Sequence, residues 1–127
     1  GKLFQNTSTK YLPFCGKVWG SPSILGESID GIVDDAVRLS KSEGVAGLDL
    51  LAYRFPGDVP ALIRTYMQKV PVPTVIAGSI DSTERLDFMK EVQPWGFTIG
   101  SALFASKYKP NSSVRENIQT VVDYLAK

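Results

Sequence analysis

Apolar residues along this chain fall into two alternating patterns. Short continuous runs bounded by Gly or Pro give way to stretches in which apolar positions recur every three or four residues. The runs are Lys10–Cys15, Gly47–Tyr53, Pro73–Gly78 and Trp95–Gly100. Runs of this length and composition are characteristic of strands buried in a parallel sheet. Pro13 weakens the first, because proline removes a ladder donor and belongs at an edge or a first position. The stretches between predict helices. Ile29, Ile32, Val33, Ala36 and Val37 form one stripe, with Gly44 as a candidate C-cap. Val59, Leu62, Ile63, Tyr66, Met67 and Val70 form a second, opened by Asp58. Leu86, Met89 and Val92 follow Asp81 or Ser82, either of which can cap. Val114, Ile118, Val121, Val122 and Leu125 follow Ser113, and Ser113 with Glu116 has capping-box spacing. For all four stripes the plain expectation is core packing.

The chain therefore reads as four βα units in one domain spanning 1–127, which implies parallel strands joined by right-handed crossovers. Two architectures fit. One is half of a (β/α)8 barrel, since a whole barrel typically needs about 250 residues. The other is a small open doubly wound sheet of the flavodoxin-like kind.

Composition narrows the function classes. A net charge of +1 from 14 basic and 13 acidic residues lacks the basic excess of a nucleic-acid binder. With no His, imidazole is unavailable as base, triad member or zinc ligand. The single cysteine, Cys15, permits no intrachain disulfide and fits a reducing compartment. Apolar stretches fall far short of the ~20 residues that cross a bilayer. No charged-then-apolar leader opens the chain, and Gly1 in place of Met fits a processing boundary. The expectation is a cytoplasmic domain, bound to neither nucleic acid nor membrane.

Candidate chemistry lies at the ends of the last two strands. Gly78-Ser79-Ile80-Asp81 opens the third helix, and Gly100-Ser101-Ala102-Leu103-Phe104 can form one extra helical turn. Glycine at a strand end lets a ligand approach the main chain, and successive free N–H groups suit an anion. Two such turns on neighbouring strands can converge on one phosphate; alternatively, each glycine only makes a tight turn.

Val75-Ile76-Ala77-Gly78-Ser79-Ile80 and Gly96-Phe97-Thr98-Ile99-Gly100-Ser101-Ala102-Leu103-Phe104 resemble strands seven and eight of the phosphate-binding (β/α)8 (TIM) barrels. That superfamily includes histidine- and tryptophan-biosynthesis isomerases and synthases, sugar-phosphate epimerases and FMN oxidoreductases. The resemblance implies phosphate contacts at Gly78, Ser79, Gly100 and Ser101, and numbers the four strands five to eight. It departs at Ser79, where the family often has a second glycine. A weaker similarity, through Pro56-Gly57 and Ile76-Ala77-Gly78, links the chain to glycerol-3-phosphate-responsive antiterminator regulators, which are sensors.

Other polar groups near strand ends have two readings each. Lys17 can form a Schiff base if burial lowers its pKa, or be a solvated loop lysine. Cys15 is a nucleophile only with a base beside it and otherwise an inert buried thiol. Asp49, an acid among leucines, is a general acid or base or a satisfied structural carboxylate. Alternation places it with Gly47, Leu51 and Tyr53, opposite Leu48, Leu50, Ala52 and Arg54. Tyr53 and Arg54 stand at the strand end, where Arg54 can clamp a carboxylate or second phosphate or simply face solvent. The connection from Val18 to Glu27, with Trp19, is either a lid or a surface loop pinned by Ile24 and Leu25.

Three functions follow as expectations. One is part of a sugar-phosphate or biosynthetic enzyme of lyase or isomerase type that binds a phosphorylated metabolite or inorganic phosphate. The others are a sensor of a phosphorylated effector and a half-barrel scaffold without activity. A half barrel leaves two strand edges and an apolar face uncovered, which predicts a homodimer. Whether the phosphate belongs to a substrate or to FMN is open, so no cofactor is assigned.

Overall fold

A computed structural model describes residues 8–20 and 24–127. Its elements are β1 (Lys17–Trp19), β2 (Ile24–Gly26), α1 (Ile29–Ser40), β3 (Leu48–Leu50), a 3-10 turn (Ala52–Arg54), α2 (Val59–Lys69), β4 (Thr74–Ile76), α3 (Thr83–Val92), β5 (Gly96–Phe97), α4 (Ser101–Phe104) and α5 (Val114–Leu125). Among the described residues β3, β4 and β5 form a parallel sheet in sequential order, and no barrel closes. Leu48 pairs with Thr74 and Leu50 with Ile76, then Ile76 with Phe97.

The strand predicted over Lys10–Cys15 is reduced to a single parallel bridge, Phe14 to Asp49. Pro13 is the physical reason. Its carbonyl accepts from the Asp49 amide at 2.9 Å, but it has no N–H with which to extend the ladder. The connection from Val18 to Glu27 also differs from expectation. It contains an antiparallel hairpin of β1 and β2, in which Lys17 pairs with Gly26 and Val18 with Leu25. Residues 21–23, at its centre, lie outside the described residues. Leu25 is fully buried in the core cluster, as the pinned-loop alternative requires of it.

Helix starts follow the side chains that cap them. Ser28 accepts from the Gly31 amide, Asp58 from Ala61 and Ser82 from Arg85, at 3.0, 3.0 and 3.3 Å. Each satisfies an amide that the first turn leaves without a partner. Of the two candidates before α3, Ser82 is therefore the cap. Ser113 and Glu116 form the full capping box of α5. Hydrogen bonds from Ser113 and Lys109 hold the Glu116 carboxyl below its ordinary range. Helix α1 ends earlier than Gly44 suggests: Lys41 is its C-cap, and Gly44 lies beyond it.

One face of the sheet carries the core. Leu48, Leu50 and Ile76 are fully buried with Ile32, Val33 and Ala36 of α1 and Leu62, Ile63 and Tyr66 of α2. The Tyr66 and Thr74 hydroxyls share a hydrogen bond of 2.9 Å inside this layer, which offsets the desolvation of both. The opposite face is covered less. Asp49 and Val75 are half-buried there, and Phe14 keeps 55% of its surface. This division matches the alternation read from Leu48 to Ala52, while Gly47, read with Asp49, is buried; the alternation ends at the 3-10 turn, which brings Arg54 to the cleft lining.

Candidate anion cleft at the strand ends

The carboxyl ends of β4 and β5 border a cleft of about 240 Å³. Arg54, Gly78, Ser79, Gly100 and Ser101, all singled out from the sequence, line it together with Lys107. The segments converge because β3, β4 and β5 are parallel and adjacent, so their carboxyl ends share one rim.

The β4 turn is locked from three sides. Gly78 has φ +112°, and a Cβ there would lie 3.0 Å from Tyr53 Cβ and 3.1 Å from the Tyr53 amide nitrogen. Only glycine suits both the backbone conformation and that contact. The Arg85 guanidinium donates to the Ser79 carbonyl, pairs with Asp81 at 3.5 Å and stacks over the Tyr53 ring at 4.4 Å. The Tyr108 hydroxyl donates to the Ile80 carbonyl at 2.7 Å. Burial pushes that phenol up to about 12, so it stays a donor throughout the physiological range.

The β5 turn is built differently. Gly100 caps the single turn of α4, and among the described residues a Cβ there would meet nothing within 4 Å, so the space beside it is open to them. The chain then returns through Ser106 and Asn111, both in the left-handed region at φ +53° and +57°. Asn117 of α5, fully buried, holds this return. Its Oδ1 accepts from the amides of Tyr108 and Lys109 at 3.2 and 2.9 Å, and its Nδ2 donates to the Ser113 and Lys109 carbonyls at 2.9 and 3.2 Å. With the Lys107 amide bonded to the Ala102 carbonyl at 3.0 Å, Lys107 is held at the rim.

The charges in the cleft do not cancel. Its acid, Asp81, is matched by Arg85. Among the described residues the side chains of Arg54 and Lys107 have no acidic partner, and the amides of Ser79, Gly100 and Ser101 have no acceptor. Two cations and three residues with free N–H groups on the lining of one concavity favour an anion.

The remaining sequence candidates lie elsewhere. Lys17 is on the hairpin, 75% exposed and 3.8 Å from Glu27. It is outside the cleft, in the position of a solvated lysine. Tyr53 stands behind the β4 turn, with its backbone against Gly78 and its ring under Arg85, and does not line the cleft. Asp49 faces the less-covered side of the sheet. Among the described residues its Oδ1 has no hydrogen-bond partner, and burial raises its pKa above the usual carboxylate range. Cys15 is fully buried, and its thiol is pushed up to about 12 by burial and then by Asp35. A thiol held protonated in this way is inert.

Sequence reasoning missed Lys107, Arg85, Tyr108 and Asn117. Asn117 left a usable signal. The buried face of α5 carries Asn117 and Val121, while Ile118 and Val122 are 46% and 53% exposed. Following phase in place of hydropathy from Val114 leads to Asn117 three residues on. No signal of this kind marks Lys107, whose role depends on a loop fold.

No protein-family model, curated protein or solved structure matches the chain. The cleft itself is therefore what speaks for function.

Proposed function

We propose that this chain binds the phosphate group of a small phosphorylated metabolite between its last two strand ends. In this reading the Ser79, Gly100 and Ser101 amides and the Lys107 ammonium hold the phosphate. One observation carries it: the turns picked out as phosphate contacts border one cleft that also holds two cations without an acidic partner among the described residues. We further propose a half-barrel arrangement, in which the Phe14 segment and β3 to β5 form four successive parallel strands. The sequential strand order and the parallel Phe14–Asp49 bridge support it. The domain then supplies the phosphate grip of a sugar-phosphate or biosynthetic enzyme of lyase or isomerase type.

A second reading, a sensor that binds a phosphorylated effector without converting it, is favoured by a separate observation. Neither Lys17 nor Asp49, the candidate catalytic groups, lines the cleft.

Thermal unfolding against inorganic phosphate at constant ionic strength tests the phosphate grip. Phosphate at about 100 times its dissociation constant should stabilise by about 2.7 kcal/mol, several degrees for a domain of this size. Gly100→Asp, which puts a carboxylate into the open space, should abolish the shift. An unchanged midpoint with phosphate, sugar phosphates, glycerol 3-phosphate and FMN alike overturns the proposal.

A further inference from the structure

Arg54 is the part of the cleft that a lone phosphate leaves unexplained. It enters from the 3-10 turn after β3, held by the hydrogen bond from its own amide to the Leu51 carbonyl at 3.0 Å. Arg38, Arg64 and Arg85 each face a carboxylate. Arg54 is half-buried, and among the described residues it faces none.

Arg54 enters the cleft from a different strand than the phosphate grip does. The sheet order is β3, β4, β5, and strands are spaced ~4.8 Å apart, so the main chain at the β3 and β5 ends is about 10 Å apart. The free amides and Lys107 belong to the β4 and β5 side of the cleft, while Arg54 comes from the turn after β3. That placement gives the guanidinium a route to a second group on a ligand whose phosphate sits on the amides. A planar fork of donors matches a carboxylate through two parallel hydrogen bonds, which a point charge such as Lys107 cannot do. Size suits a small ligand. A cleft of about 240 Å³ is smaller than the sites that take drug-sized molecules and fits a phosphate on a short carbon chain.

We propose that the cleft takes a short-chain phosphorylated carboxylic acid, with Arg54 on the carboxylate and the glycine turns and Lys107 on the phosphate. This assignment rests on the phosphate reading above, and the test separates the two.

Glycerol 3-phosphate and 3-phosphoglycerate have the same carbon chain and differ in a terminal hydroxymethyl against a carboxylate. Titration calorimetry of the full chain with each, at fixed ionic strength, reads the second contact directly. The acid should bind about tenfold tighter or more. Arg54→Gln should remove that preference, weakening 3-phosphoglycerate binding by more than it weakens glycerol 3-phosphate binding. Arg54→Lys, which keeps the charge and loses the fork, should keep only part of the preference. Equal affinities for the two ligands in the unmodified chain overturn the carboxylate assignment and leave the phosphate grip standing. A preference that survives Arg54→Gln in full also overturns it, because the extra charge is then read by something else. Binding of neither ligand overturns the phosphate reading and the carboxylate assignment together.

Discussion

The helix-covered face of the sheet and the rim at its strand ends follow opposite rules. On the covered face Leu48, Leu50, Ile63 and Leu62 are fully buried, and the polar pair within it, Tyr66 and Thr74, bond to each other. On the rim, free amides and two cations face a cleft, and the polar groups that do pair are spent on holding the turns in place. Arg85 holds the Ser79 carbonyl, Tyr108 the Ile80 carbonyl, and Asn117 the return that carries Lys107. A saturated layer supplies stability, and a rigidly held, unsaturated rim supplies recognition. Polar groups in this molecule therefore divide by whether their partner lies within the chain.

Breaking the covered layer should have the largest effect. Leu50→Ala leaves a cavity in a fully buried site and should cost about 2–5 kcal/mol in urea denaturation, with the slope unchanged. A loss below about 1 kcal/mol would show that the layer relaxes and is not the seat of stability.

The two glycines sharpen the comparison within the rim. Gly78→Ala forces a side chain into the left-handed region against Tyr53 and should cost about 1–3 kcal/mol. Gly100→Ala, with open space around its Cβ, should cost less stability than Gly78→Ala and weaken phosphate binding. The reverse order in the two denaturation midpoints would mean that the open space at Gly100 is closed by the chain itself. Tyr66→Phe removes one hydroxyl of the buried pair and should cost about 1 kcal/mol, since Thr74 keeps a bond to the Val72 carbonyl at 3.2 Å.

Asp49 belongs to neither region, and its effect should depend on pH. Burial raises its pKa, so the folded chain holds that proton more tightly than the unfolded chain. Its contribution is therefore most favourable below the ordinary Asp pKa of about 3.9 and is lost as pH rises through the raised value. Asp49→Asn should raise the unfolding temperature at neutral pH, and the gain should vanish in acid. A gain independent of pH would place its origin elsewhere. The smallest effect should come from Lys17→Ala, within about 0.5 kcal/mol and with phosphate affinity intact. A large loss of affinity would bring the hairpin back into the site.

Much of the site was legible because its signals are local. Gly78 and Gly100 mark strand ends by themselves, and Asp58, Ser82 and Ser113 mark helix starts through bonds to amides three residues on. The helical stripes of α1 and α2 are likewise set by spacing. Where a residue's role depends on a distant partner, spacing alone misleads. Ile118 looked inward because it is apolar, yet Asn117 takes the buried position, since four polar groups of a loop require it there.

By itself the sequence determined the alternation of apolar runs and helical stripes, the caps, and the residue types that can meet an anion at a strand end, because each depends on neighbours within a turn or two of chain. Only the tertiary structure decided that Pro13 would leave the first run with a single bridge, that Arg54 would reach the cleft while Tyr53 backed Gly78, and that Lys107 would line the same cleft as Gly100. Those outcomes depend on which strand ends share a rim and on what the loops between them must satisfy, and contacts between residues far apart in the chain set both.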